Sequence, residues 1–331
     1  MIDPSGPVVI DLPHTRASLS FARLVPALRA AFIAGANAPL RHSHPLEQPG
    51  TATATLLLMP AWQGRSALGV KIVTVFPDNG ALGLNAVFST YLLCDGATGR
   101  HLALIDGNEI TGRRTAAASA LAGDFLARDD ANTLLIVGAG HIAAMLAPAW
   151  AAVRPIRHVR VWNARPARAT ALAAGLCEQG FDAAATDDLQ AAVGRADIVS
   201  CATLATAPLV HGAWLRPGTH LDLIGGFRPD MREADDTAVR RACVFIDTEA
   251  ALAEAGDLAQ PLAAGVLRRD QIAGSLFTLC RGETPGRRTG DEITLFKSVG
   301  SALEDLATAA LVWQDRQQQA AMVDGCALSV H

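Results

Sequence analysis

The sequence is poor in the features that mark several protein classes. Charged residues fill 18% of its 331 positions and aromatic residues 5%, and the formal net charge is only −4. There is no basic stripe with interleaved aromatics, so no nucleic-acid partner is expected. No apolar stretch of about twenty residues lacks charges or breakers, so no membrane span is expected either. The six cysteines (Cys94, Cys177, Cys201, Cys243, Cys280 and Cys326) are scattered, without a C-x-x-C pair or a neighbouring histidine cluster. They read as buried free thiols in a reducing compartment. His42 and His44 stand two apart but belong to no H-x-x-x-H or Cys/His spacing, and no metal site is expected. The opening Met1-Ile2-Asp3-Pro4 has neither a basic region nor an apolar run, so no secretory signal is expected. The expectation is a soluble, cytoplasmic protein.

Hydrophobic residues, by contrast, make up 50% of the chain, and its length suits two domains of ordinary size. Residues 20–34 read as a helix with Phe21, Leu24, Val25, Leu28, Ala31 and Phe32 on its apolar face. Pro26 is expected to kink its first turn or to delay its start. Strand-like runs follow at 51–59, 67–76, 84–94 and 101–105, separated by short turn sequences such as Pro77-Asp78-Asn79-Gly80. Short separations favour an antiparallel meander. A helix is then expected from Thr111, as N-cap, through Leu126.

From Thr133 the rhythm becomes strand–helix alternation. Strands are predicted near 133–137, 158–162, 181–185, 197–202, 219–225 and 243–247, with helices such as 166–178 and 231–242 between them. Alternation of this kind predicts an α/β fold, a doubly wound parallel sheet of Rossmann type. A last helix at 301–319, with Leu303, Leu306, Ala310 and Trp313 on one face, follows the sheet and is expected to return to the first domain.

The stretch Leu134-Leu135-Ile136-Val137-Gly138-Ala139-Gly140-His141-Ile142-Ala143 supplies the first chemistry. A buried strand runs into a Gly-x-Gly turn and then into an apolar helix. Gly138 allows the tight turn, Gly140 lets backbone approach a pyrophosphate, and Ala143 lets helix pack on strand. The helix N-terminus offers unpaired N–H groups to the phosphates. The second strand ends in Val161-Trp162-Asn163-Ala164-Arg165, where an NAD site normally carries an acid for the ribose hydroxyls. Asn163 would tolerate a 2′-phosphate and Arg165 could bind one, unless Arg165 and Arg168 are simply solvated helix residues. NADP(H) is therefore preferred over NAD(H), with NAD(H) possible.

Three cations stand out in the apolar N-terminal part: Arg41, Lys71 and Arg114. A lysine inside Leu68-Gly69-Val70-Lys71-Ile72-Val73 needs a partner or a depressed pKa, and an anionic substrate would be such a partner. The other reading is snorkelling from an edge strand. Arg113 and Arg114 are adjacent and cannot face the same way, and spacing alone does not choose between them.

Along almost its whole length the chain resembles the ornithine cyclodeaminase and mu-crystallin family. The matching stretches are Gly69-Val70-Lys71, Ile110-Thr111-Gly112-Arg113-Arg114-Thr115-Ala116-Ala117 and Val137-Gly138-Ala139-Gly140. They continue with Arg216-Pro217-Gly218-Thr219-His220, Ile224-Gly225-Gly226-Phe227-Arg228-Pro229-Asp230-Met231-Arg232-Glu233 and Leu295-Phe296-Lys297-Ser298-Val299-Gly300, with Glu304-Asp305. The resemblance implies a homodimer. Residues 1–118 with 301–331 would form an α+β substrate-binding and dimerisation domain with the antiparallel meander, and 119–300 the dinucleotide-binding Rossmann domain.

The resemblance also implies residue roles. Arg41, Lys71 and Arg114 would grip a substrate α-carboxylate, Arg114 being chosen because the family's arginine directly precedes the threonine. His141 and Ile142 take the pyrophosphate-turn positions and Asn163 the ribose position. Thr203, Ile224, Gly225, Gly226 and Ser298 would line the nicotinamide side, with Phe227 beside them, and Val299 would touch substrate. True cyclodeaminases carry Gly-Gly-Asp where this chain reads Gly225-Gly226-Phe227, and phenylalanine moves no protons. Asp230 lies three residues on. Ile142 replaces the usual Gln, and Ser275 stands where many members have Glu.

The expected activity is therefore an NAD(P)H-dependent oxidoreductase at the α-carbon of an amino or imino acid. It would reduce a cyclic ketimine such as a pyrroline or piperideine carboxylate, with Lys71 as proton donor. Ornithine cyclodeaminase, converting ornithine to proline and ammonia, is the first alternative. A non-enzymatic small-ligand-binding protein like the family's lens members is the second.

Overall fold

The computed structural model describes residues 6–47 and 49–327, apart from the side chains of 323–327. Met1-Ile2-Asp3-Pro4 and the Cys326 side chain lie outside the described residues. The chain divides into two compact units, one of Met1–Arg114 with Ser301–His331 and one of Thr115–Gly300.

The first unit runs β1 (Val8–Ile10), α1 (Leu12–Ser18), α2 (Phe21–Ala34), β2 (His42–Leu46), β3 (Ala54–Gln63), β4 (Ala67–Val75), β5 (Val87–Asp95) and β6 (His101–Asp106). Helix α3 (Gly107–Leu126) begins in this unit and continues into the second. The sheet order is β1-β6-β5-β4-β3-β2. Strands β2 to β6 form an antiparallel meander, and β1 pairs parallel to β6 at the edge. Side chains alternate across the pleat. Met59, Ala61, Lys71, Val73, Tyr91 and Leu93 are buried on one face. Ile72 and Phe88, on the other, are exposed.

The second unit contributes β7 (Thr133–Val137), α4 (Ala143–Ala151), β8 (His158–Trp162), α5 (Pro166–Glu178), β9 (Asp182–Ala185), α6 (Leu189–Arg195) and β10 (Ile198–Cys201). It continues with β11 (His220–Leu223), α7 (Asp236–Arg241), β12 (Cys243–Ile246), α8 (Ala251–Glu254), α9 (Gly256–Ala263), β13 (Ile272–Ser275), α10 (Leu276–Cys280) and β14 (Thr294–Lys297). All eight strands are parallel, in the order β13-β12-β14-β11-β10-β7-β8-β9. Strand β7 lies between β8 and β10, so the order reverses there, which opens a crevice at the carboxyl ends of β7 and β10. The last helix, α11 (Ala302–Ala327), packs on α2 and across β3, β4 and β5 of the first unit. The fold class is α/β, as the alternation predicts.

Several local expectations change. Helix α2 passes through Pro26 without a break, because proline in the second turn sacrifices one N–H bond while Leu24, Val25, Leu28 and Phe32 are buried around it. Helix α3 starts at Gly107, and Asp106, not Thr111, accepts from the third N–H, that of Glu109, at 2.7 Å. The Thr111 hydroxyl bonds back to the Gly107 carbonyl at 2.8 Å instead. The expected helix at 231–242 is reduced to α7, capped by Asp235, because the backbone of 232–234 is committed to tertiary hydrogen bonds. On α11 the deeply buried apolar positions after Leu306 are Ala309 and Val312, beside the buried Thr308, rather than Ala310 and Trp313. The edge strands β1 and β13 and the inner strand β14 are additional to the strands expected from the sequence. Among the described residues, no single helix is long and apolar enough to cross a membrane.

Candidate active site

The turn after β7 has the geometry its glycines require. Gly138 adopts φ +122°, and a Cβ there would lie 2.4 Å from the Ala202 carbonyl oxygen. Its N–H donates to the Trp162 carbonyl at 2.8 Å, which ties the turn to the end of β8. A Cβ on Gly140, by contrast, would meet no protein atom within 4 Å. That space, in front of α4, is what a pyrophosphate needs. No side chain caps α4, and the N–H groups of Ala144 and Met145 in its first turn donate to the Gly140 and Ile142 carbonyls at 3.3 and 2.9 Å. His141 is exposed and Ile142 half-buried at this turn.

Asn163 follows β8 and turns its amide oxygen inward, accepting from the Arg165 N–H at 2.8 Å. Arg165 and Arg168 are exposed. Neither Asn163 nor the residues just after it supply a carboxylate.

The loops after β10, β11 and β14 hold the other dinucleotide candidates. Thr203 spends its hydroxyl on Glu233 Oε1 at 2.8 Å, and its N–H reaches the same oxygen at 2.7 Å. Ile224 is buried, and Gly225 and Gly226 are pressed against protein on their Cβ side. Ser298 is buried, with its N–H on the Leu223 carbonyl at 3.2 Å. Asp247 holds the next turn, accepting from the N–H groups of Val299 at 2.7 Å and Gly300 at 2.6 Å. Phe227 is 45% exposed. Asp230 is also exposed and takes a two-pronged pair of bonds from Arg228, at 3.1 and 2.9 Å. Ser275 caps α10, its hydroxyl accepting from Thr278 N–H.

In the first unit, Lys71 sits in the middle of β4, between Met59 of β3 and Tyr91 of β5, and is 2% exposed. An interior strand and that burial rule out snorkelling. Its ammonium lies 2.8 Å from Asp305 Oδ2. Arg114 donates from Nε to Asp305 Oδ1 at 3.1 Å and from Nη1 to Glu304 Oε2 at 2.9 Å. Both carboxylates stand in the first turn of α11, where the helix dipole favours negative charge. Burial pulls the Lys71 pKa down to about 8, with Asp305 opposing the fall and the positive charges of Arg114 and Arg41 adding to it. Arg41, half-buried just before β2, is thus within electrostatic reach of Lys71. Arg113 points elsewhere: it bonds Glu109 at 2.7 Å and the Leu19 carbonyl at 2.8 Å and covers the Phe21 ring. The structure thereby separates the two adjacent arginines.

The candidate set drawn from the sequence assigns no role to Glu304, Asp305, Glu233, Asp247, Asp257 or Lys297, all buried. Lys297 follows Leu295-Phe296 just as Lys71 follows Gly69-Val70, so the argument that singled out Lys71 would also have found it.

A family model described as the ornithine cyclodeaminase/mu-crystallin family matches residues 14–320. The chain belongs to this family. Among its relatives, the Delta(1)-pyrroline-2-carboxylate reductase of Paracoccus denitrificans is 44% identical over 282 residues, 82% of this chain and 89% of that protein. The solved structure of Thermococcus litoralis Delta(1)-pyrroline-2-carboxylate reductase in complex with NADH and L-proline matches with a TM-score of 0.89 and 33% identity. The match covers 95% of this chain and 98% of that one. An archaeal alanine dehydrogenase dimer with bound NAD matches with a TM-score of 0.86 at 26% identity, over 95% and 97% of the two chains.

Proposed function

We propose that this chain reduces a cyclic ketimine carboxylate, a pyrroline or piperideine carboxylate, to the cyclic amino acid, with a reduced nicotinamide cofactor. The observation that carries the reading is the burial of Lys71 and Arg114 on one carboxylate, Asp305, with Arg41 in electrostatic range. The named activity of the Paracoccus relative supports it, as does the L-proline bound by the Thermococcus protein. Arg41, Lys71 and Arg114 fix the substrate α-carboxylate, which is a positioning contribution. Lys71 is the proton donor to the nitrogen. Val299 touches substrate.

Gly138, Gly140, His141 and Ile142 hold the pyrophosphate, and the open space at Gly140 fits that group. Asn163 and Arg165 hold the adenosine ribose. Thr203, Ile224, Gly225, Gly226, Phe227 and Ser298 line the nicotinamide side. When bound, the reduced cofactor supplies hydride to the C=N carbon. We prefer NADPH to NADH because the end of β8 offers an amide and a cation and no acid. Cyclodeaminase chemistry is disfavoured because Phe227 has no group to manage protons during ammonia loss, and Asp230 is engaged by Arg228. Ile72 and Phe88 leave an apolar patch on the outer face of the first unit's sheet. A second copy of this chain is the occupant we assign to it, and the archaeal alanine dehydrogenase, itself a dimer, supports a homodimer.

The test is NADPH absorbance against time with purified protein and a cyclic ketimine carboxylate. Imine-dependent loss of absorbance is expected. Ammonia released from ornithine with NAD, and no imine reduction, would establish the cyclodeaminase instead.

A further inference from the structure

One buried carboxylate gathers the loops at the carboxyl edge of the second unit. Glu233 is fully buried in the segment between β11 and α7. Its Oε1 accepts from Thr203 N–H and hydroxyl, and its Oε2 accepts from Gly225 N–H at 2.8 Å. Thr203 follows β10 and Gly225 follows β11, so a single side chain ties together the ends of two neighbouring strands. The loops approach each other too closely for anything but glycine: a Cβ on Gly225 would lie 1.9 Å from the Thr203 carbonyl oxygen.

The network extends beneath the same loops. Glu233 N–H donates to Asp257 Oδ1 at 2.7 Å, and Asp257 Oδ2 lies 3.1 Å from Lys297 Nζ at the end of β14. A Cβ on Gly226 would come within 2.5 Å of Asp257 Oδ2 and 3.3 Å of Lys297 Nζ. Burial, together with the neighbouring Asp257 charge, pushes the Glu233 carboxyl up, whereas the Lys297 charge and the Thr203 donors pull it down. Every group bonded to its two oxygens is a donor, so the site calls for an acceptor on both sides.

We infer that Glu233 is the positioning residue for the nicotinamide half of the cofactor site: it shapes the Thr203 and Gly225-Gly226 loops from below. This rests on the nicotinamide reading given above. The adenosine half, at Gly138, Gly140 and Asn163, makes none of these bonds. Gly138 abuts Ala202 and Thr203 on its Cβ side, so the action of Glu233 is strongest at the nicotinamide end rather than confined to it.

Glu233→Gln keeps the shape but places an amide N–H₂ against a donor, from Gly225 or from Thr203. A buried donor is then unmatched, and the loops shift. The experiment compares two dissociation constants for wild type and variant. One is for whichever reduced nicotinamide dinucleotide the wild type binds better. The other is for the same ligand lacking nicotinamide, ADP-ribose or its 2′-phosphate. The expected result is about a tenfold loss for the full cofactor with the fragment unchanged within about twofold. Full-cofactor binding unchanged, or both ligands weakened alike, overturns the assignment. Should Glu233→Gln fail to fold, Glu233→Asp, which keeps the charge and pulls it back by one methylene, is read by the same comparison and the same two criteria. A wild type that binds neither ligand refutes the nicotinamide reading itself, an outcome distinct from either result for the variant.

Discussion

The Lys71 ammonium and the Asp305 carboxylate meet at 2.8 Å although they lie on a central strand and on the last helix, at opposite ends of the sequence. The same carboxylate holds Arg114 through its other oxygen. Asp305 therefore fixes the spacing of two cations assigned to the substrate, and it opposes the loss of the Lys71 proton that burial favours.

Lys71→Met should lower turnover of the imine by about a hundredfold or more, the usual contribution of a placed general acid. Cofactor affinity should stay within about twofold of wild type, because Lys71 is assigned to the substrate and not to the dinucleotide. Steady-state rates and a fluorescence titration check this, and unchanged turnover removes Lys71 from the mechanism.

The pH profile follows from the same residue. With its pKa lowered to about 8, Lys71 is protonated at neutral pH and loses its proton above about 8. A proton donor is competent only when protonated, so kcat/KM should fall on the alkaline side of about pH 8. Asp305→Asn removes an attraction that raises this pKa, and the alkaline limb should move to lower pH. A limb that stays in place would separate the titration from Lys71.

The two adjacent arginines should fail in different ways. Arg114→Lys cannot bridge Asp305 and Glu304 with a planar fork, so KM for the imine should rise about tenfold or more. Arg113→Lys loses the Glu109 and Leu19 contacts and the cover over Phe21, and should lower Tm by several degrees while leaving KM near wild type. Thermal melts beside Michaelis curves for both variants make the comparison. A KM effect confined to Arg113 would reverse the assignment.

Gly138→Ala and Gly140→Ala separate architecture from ligand space. At Gly138 the φ of +122° and the Ala202 oxygen 2.4 Å away leave no room for a methyl group. A stability loss of about 2–5 kcal/mol is expected. At Gly140 the protein leaves the space open, so Gly140→Ala should fold normally and weaken the cofactor about tenfold. Denaturant unfolding and cofactor titration read the two outcomes, and equal stability losses would refute the division.

Arg165→Ala tests the nucleotide preference. NADPH affinity should fall about tenfold with NADH little changed, because only the 2′-phosphate needs the guanidinium. A wild type that prefers NADH would end the NADPH reading before the variant is made.

The sequence by itself determined the elements and the chemistry that local pattern carries. The apolar run into Gly138-Ala139-Gly140 is a strand, a turn and a helix because each step depends on neighbours a few residues away. Helix α5 spans Pro166–Glu178, as the spacing predicts. Lys71 stood out because a charge in an apolar strand is costly wherever that strand goes. Tertiary structure decided what answers that charge. Asp305 follows Lys71 by more than two hundred residues, and no periodicity links a strand to a helix that far downstream. The same holds at 231–242, where the local pattern reads as helix but the hydrogen bonds of Glu233 and Ala234 to Asp257 hold the backbone open. Arg113 and Arg114 are equivalent in composition and adjacent in sequence. The rotation of about 100° between successive helical residues sends one toward α1 and α2 and the other toward α11. Only the packed fold says which of those directions meets the carboxylates.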